Sequence, residues 1–170
     1  MEGRWDQAGI PHKGWKLLGI YDLLEEDGEY GICEMCGKER IRYAHQVAHK
    51  DFPEILTVGC DCAEKMCDDY VNPKENEKSL KNWISRRKTF MRKPFETSRN
   101  GNKFVKHNGL FITFKKSKYG NWGFVVDDEW YWRNGGTTFK TIDEAKAYAF
   151  EIVDPPVGHK FLRDRAWQYV

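Results

Sequence analysis

Between residues 78 and 126 the chain carries a single acidic residue, Glu96. Outside residues 33–67 it has no cysteine. No apolar run approaches the ~20 residues that a membrane-spanning helix needs. The opening MEGRWDQAGIPHKGW holds no apolar signal core, so a soluble, cytoplasmic protein without a membrane partner is the expectation. Nucleophile elbow, phosphate-binding glycine loop and paired-carboxylate signature are all missing, and Gly135-Gly136 reads as a turn. These absences remove the commonest hydrolase and nucleotide-binding classes. Aromatics are not lacking. At 15% of 170 residues they argue for a packed fold, because disordered chains are poor in them.

Charge is strongly segregated. Residues 1–77 carry 9 Lys and Arg against 17 Asp and Glu, residues 78–126 carry 13 against 1, and residues 127–170 carry 6 against 8. The net charge of +2 conceals this. A basic block of that density draws polyanions, which is a statement about partners and not about fold.

All five cysteines and two of the five histidines fall between residues 33 and 67, in the acidic part. Cys33-Glu34-Met35-Cys36-Gly37 has the spacing of a metal knuckle, with Gly37 free to take the positive φ such turns need. Ile41, Tyr43, His45, Val47 and His49 alternate and predict a strand. Ile55–Val58 predicts a second strand, and Cys60 and Cys62 open a helix running from Ala63 to about Tyr70. Clustered thiols in a reducing compartment are ligands before they are disulfides. Cys33, Cys36, Cys60 and Cys62 are the first-choice set for a closed Zn²⁺ site, with Zn–S near 2.3 Å. Cys67, His45 and His49 are the competitors. On a strand the two histidines stand roughly 13 Å apart, so one at most reaches a shared ion.

The same residues carry a resemblance. Cys33-Glu34-Cys36-Gly37, Ile41-Arg42-Tyr43-His45-His49, Phe52-Pro53 and Val58-Gly59-Cys60-Cys62-Ala63 resemble a family of small uncharacterised bacterial and phage proteins. These share the pattern CE-x-CG … IRY-x-H … VGC-x-CA. The resemblance covers about residues 15–70. It implies a treble-clef-like zinc site on Cys33, Cys36, Cys60 and Cys62, with Cys67 outside it, and it implies no biochemical activity.

Around the site, residues 1–14 read as a loose arm. Trp15–Leu24 reads as a strand that turns at Asp27-Gly28 and pairs with Tyr30–Ile32. Asn72, Pro73 and Glu75 punctuate the start of a helix that Pro94 stops. It is a rod of about 30 Å with Leu80, Trp83, Ile84, Arg87, Phe90 and Met91 on one stripe. Residues 95–102 read as a linker. Lys103–His107, Leu110–Lys116, Asn121–Val126 and Glu129–Arg133 then predict strands. A last helix follows, capped by Thr141 and Glu144, with Ile142, Ala145, Ala149 and Ile152 buried. Phe161–Val170 is expected to dock as a turn of helix.

The expected fold class is therefore α+β. A treble-clef-like zinc domain (residues 1–72, knuckle, β-hairpin and helix) is joined by a long basic helix (73–94) to a small antiparallel sheet plus one helix (95–154), followed by a tail (155–170). The expected function is non-catalytic binding of nucleic acid through the basic region. Lys81, Arg86, Lys88 and Arg92 on the helix are the candidate contacts, with Lys115, Lys116, Lys118, Tyr119 and Trp122 on a hairpin. Two other readings remain. One is a protein-interaction module binding a host protein through aromatic surface. The other is a degenerate HNH-like nuclease with His45 as general base, although the helix after Cys62 lacks the usual second metal ligands.

Overall fold

The computed structural model describes residues 2–155, as two compact units that divide between Asn82 and Trp83. The expected C-terminal turn of helix lies outside the described residues.

In the first unit, β1 (Lys16–Asp22), β4 (Tyr43–His49) and β5 (Phe52–Val58) form an antiparallel sheet in the order β1-β4-β5. A one-turn helix α1 (Leu23–Glu26) and two short strands, β2 (Gly31–Ile32) and β3 (Arg40–Ile41), separate β1 from β4. β1 was expected to pair with the segment carrying Tyr30–Ile32. It pairs with β4 instead, Ile20 opposite His45, and β2 pairs with β3 to frame the knuckle. The strand read as far as Leu24 ends at Asp22; Leu23–Glu26 are α1, whose first turn is capped by the Asp22 carboxylate on Leu24 N, and the expected turn Asp27-Gly28 follows it. α2 (Cys60–Cys67) begins three residues earlier than the sequence indicates, at Cys60 itself. Trp15, Val47, Leu56, Val58, Ala63 and Met66 form the centre of this core.

The N-terminal arm has no helix or strand, yet it is anchored. Trp5 and Ile10 pack on the core, Arg4 N donates to Met35 O (2.7 Å), and Trp15 Nε1 donates to Pro11 O (2.7 Å).

α3 (Asn72–Arg92) is one 21-residue helix. Asp69 supplies its N-terminal acceptor, bonding Val71 N and Asn72 N at 3.0 Å each, so Asn72 is inside the helix and not its cap. The expected stripe holds: Leu80 and Phe90 are buried, with Trp83, Ile84, Arg87 and Met91 half-buried.

The second unit is a five-stranded antiparallel sheet with the order β10-β9-β8-β7-β6. Its strands are β6 (Glu96–Thr97), β7 (Lys103–His107), β8 (Leu110–Lys116), β9 (Trp122–Val126) and β10 (Glu129–Tyr131). β6 falls in the stretch read as a linker. Asn108-Gly109 turns β7 into β8, and Asp127-Asp128, both at positive φ, turns β9 into β10. A small hairpin, β11 (Arg133–Asn134) and β12 (Thr137–Thr138), leads to α4 (Ile142–Val153). The expected cap is present: Glu144 N donates to Thr141 Oγ1 at 3.1 Å. α4 covers one face of the sheet, burying Ala145, Ala149 and Phe150 against Ile112, Phe114 and Phe124.

Candidate metal centre and nucleic-acid interface

The β2–β3 hairpin folds Cys33 and Cys36 together. Cys33 N donates to Glu39 O (2.8 Å), Gly37 N to Cys33 O (2.8 Å), and Glu39 N to Cys36 Sγ (3.4 Å). Cys62, on the first turn of α2, completes the approach. The sulfurs of Cys33, Cys36 and Cys62 and a carboxylate oxygen of Glu39 all lie within 4.8 Å of one another, and no disulfide joins the cysteines. This set can hold a metal ion. The Glu39 carboxylate sits directly over Gly59, so a side chain at that position would have to displace it.

Electrostatics point the same way. Cys62 donates its S–H to Cys33. That bond, helped by backbone N–H groups of Cys36, Gly59 and Met35, brings the Cys33 thiol down to about 5 against the opposing effect of burial. The same bond and burial push Cys62 up. Glu39 is also raised, by partial burial and then by the charges of Cys33, Asp61 and Glu77. Like charges crowded beside a buried thiolate are the environment a cation relieves.

Three of the four expected ligands thus meet, and Cys60 does not join them. Because α2 already includes Cys60, the two cysteines are two residues apart on one helix, where side chains point about 200° apart. Cys60 faces the other way, toward His45 of β4 and Glu77 of α3. A sulfur, a ring nitrogen and a carboxylate oxygen of these three also lie within 4.8 Å of one another. Burial, then Glu77, Glu64 and Asp61, push the Cys60 thiol up to about 12. His45 is fully buried, and burial pushes it down. Its Nε2 is 3.2 Å from Pro73 O and 4.0 Å from Glu77 Oε2, and its Nδ1 has no hydrogen-bond partner. Cys67 belongs to neither cluster, and burial raises it to about 11. His49 packs on Trp15, with ring centroids 5.4 Å apart, and accepts from Asp51 N.

The candidate basic residues are placed unevenly. Lys81 bonds Glu77 at 2.6 Å and lies over the Tyr43 ring. Arg86 is held in a two-bond fork on Asp154, at 2.8 and 2.9 Å. Lys88 and Arg92 occupy exposed positions of α3. On the β8–β9 hairpin the pleat sends Lys115 and Lys116 to opposite faces. Lys116 lies over Trp122, which is half-buried and bonded through its backbone to Phe139, while Lys118 and the 79%-exposed Tyr119 form the turn.

The face of the sheet away from α4 is the one Lys115 joins. Register puts Phe104 opposite Thr113, Lys106 opposite Phe111, Lys115 opposite Gly123, and Val125 opposite both Thr113 and Trp130. Phe111 is 58% exposed, Trp130 46% and Trp132 37%. Trp130 and Trp132 stack at 5.4 Å with their planes 8° apart, and Phe104 and Phe111 pair at 5.8 Å. Lys106 lies over Phe111 at 4.9 Å and Lys115 over Trp130 at 5.9 Å. The Trp132 indole rests where a side chain at 123 would stand, which makes Gly123 a seat for the ring. Sequence reasoning missed this pair. The signal was the alternation Trp130-Tyr131-Trp132, in which the middle ring alone turns inward to stack on Phe124.

Comparison with protein-family models, with curated proteins and with solved structures finds no match to this chain.

Proposed function

We propose that this chain is a zinc-stabilised protein that binds single-stranded nucleic acid on the outward face of its five-stranded sheet. The observation that carries the reading is that face: two aromatic pairs, each with a lysine above it, on the side of the sheet that α4 leaves open. Unpaired bases stack on such platforms whatever their sequence, and lysines at the edges meet the phosphates. The charge of residues 78–126 supplies the matching long-range attraction. Zinc is the metal that three thiolates and one carboxylate suit best. A knuckle, a hairpin and a helix around it make a treble-clef-like plan, and a set closed by protein ligands holds a fold together rather than doing chemistry.

A mixed-sequence single-stranded oligonucleotide, titrated by tryptophan fluorescence, tests the interface. Stacking of about 1–3 kcal/mol per base means that replacing Trp130 and Trp132 by Ala weakens binding at least tenfold. Wild-type affinity falls steeply with salt. Charge reversal at Lys115 weakens binding across sequences more than reversal at Lys116, which lies on the other face. Equal affinity of the double-tryptophan variant removes the interface. Absence of any oligonucleotide binding, with a discrete protein held by the same face, assigns the aromatic surface to a protein partner.

A further inference from the structure

We propose that His45, Cys60 and Glu77 form a second metal site, open to solvent and separate from the knuckle. The three come from β4, α2 and α3 of the first unit, and their ligand atoms already lie within 4.8 Å of one another. A contraction of about 1 Å brings them to the spacing of donors around a zinc ion. Thiolate, imidazole and carboxylate together are a donor set for zinc and not for magnesium or calcium.

A second observation is independent of this proximity. The His45 ring is fully buried, its Nδ1 has no hydrogen-bond partner, and its Nε2 lies between the Pro73 carbonyl at 3.2 Å and the Glu77 carboxylate at 4.0 Å. A buried imidazole whose second nitrogen lacks a normal hydrogen bond is uncommon in folded proteins. A metal-bound histidine uses both nitrogens, one on the ion and one on a backbone or carboxylate acceptor.

The site differs from the knuckle in access. Cys60 and Glu77 line a solvent-open cavity of about 420 Å³, with Asp61, Lys74, Lys78, Lys81 and Asn82 around it. Three protein donors with an open side leave a position for an exogenous ligand. The Cys60 thiolate and the Glu77 carboxylate neutralise a dication. Glu77 holds Lys81 through Oε1 and faces His45 with Oε2, so it can meet an ion and keep that lysine beside the site. Lys78 and Lys81 line the open side, with Lys74 held on Glu64 at 3.0 Å beside them, and the ligand that fits this rim is a phosphate oxygen.

Cobalt(II) titration of the full chain separates the two sites, because both tetrahedral sites are visible and their thiolate content differs. Wild type takes up two equivalents. Cys60→Ser, His45→Ala and Glu77→Gln each take up one and keep the thiolate-rich spectrum of the knuckle, whereas Cys33→Ser loses that spectrum and keeps the other. Inorganic phosphate perturbs the spectrum of wild type and leaves that of Glu77→Gln unchanged. Glu77→Gln, at a partly exposed helical position, guards against the case in which His45→Ala fails to fold. Two results overturn the proposal. One is a single equivalent in wild type that Cys60→Ser abolishes, which places Cys60 in a four-thiolate knuckle. The other is a single equivalent that Cys60→Ser and Glu77→Gln both retain. A phosphate-insensitive spectrum in a two-site protein overturns the open phosphate position.

Discussion

Asp154 closes α4 and gathers three side chains. Arg86 forks onto its carboxylate, His107 Nε2 lies 3.2 Å from Oδ2, and Trp83 Nε1 donates to its backbone oxygen at 2.7 Å. The Arg86 bonds hold the carboxyl below its ordinary value, burial opposes them, and His107 adds to the lowering. A carboxylate depressed in the folded state stabilises the fold above its unfolded value of about 4, and that contribution is lost as pH falls through the folded value. Asp154→Asn is therefore expected to cost about 1–3 kcal/mol at neutral pH, since Arg86 is half exposed and the pair is partly screened. The penalty shrinks below pH 4. Denaturant unfolding of both proteins across pH 3–7 checks it, and a penalty independent of pH would show that the ion pair is not its source. At this scale the sequence was silent on Asp154, because a residue next to Pro155 reads as a helix stop and its partners lie 47, 68 and 71 positions away. The divergence of Cys60 from the other three cysteines of the expected set was legible in principle. Two cysteines two apart share one site on a strand or loop and diverge on a helix, and only the start of α2 decided between these.

Among the elements, α3 and α4 were legible because their signals are local: a 3.6-residue stripe and a capping box. The β1 pairing was not, because strand partners are chosen by long-range packing and the nearest return strand was the wrong one. Lys146 shows a similar failure of local reasoning. It stands on α4 as an ordinary helical lysine, yet it is 1% exposed. Its Nζ donates to Met91 O (3.1 Å) and Lys93 O (2.5 Å), and it lies over the rings of Phe95 and Phe90. It satisfies carbonyls that the end of α3 leaves open. Burial lowers its pKa, while the carbonyls and rings around it favour the charged form. Lys146→Ala removes the donor and the packed stem together and is expected to destabilise the second unit by about 3 kcal/mol. Lys146→Arg, which keeps a cation and donors, is expected to recover part of the loss. Chemical denaturation read by tryptophan fluorescence measures both, and an alanine variant as stable as wild type would mean that water replaces the ammonium at no cost.

For the whole molecule, the division matters more than either fold. The first unit is acidic and centres on a core in which Cys33, Met35 and Cys62 are structural members. The second is built on aromatic packing of Phe90, Phe114, Phe124 and Phe150, with no cysteine in its core. A metal bound at the knuckle contributes its binding free energy to the unit that supplies the ligands. Chelation is accordingly expected to act on one unit. Hydrogen exchange after treatment with a strong chelator should show lost protection over β1, β4, β5 and α2. Protection over β7, β8, β9 and α4 should stay at its starting level. The Cys33→Ser variant should reproduce the pattern without chelator. The exposed aromatic face lies wholly in the second unit, so the same chelated protein should still bind oligonucleotide with an affinity within about threefold of the untreated protein. Loss of protection throughout would mean that the two cores unfold as one, and an unchanged first unit would mean that the knuckle holds no metal that matters to the fold.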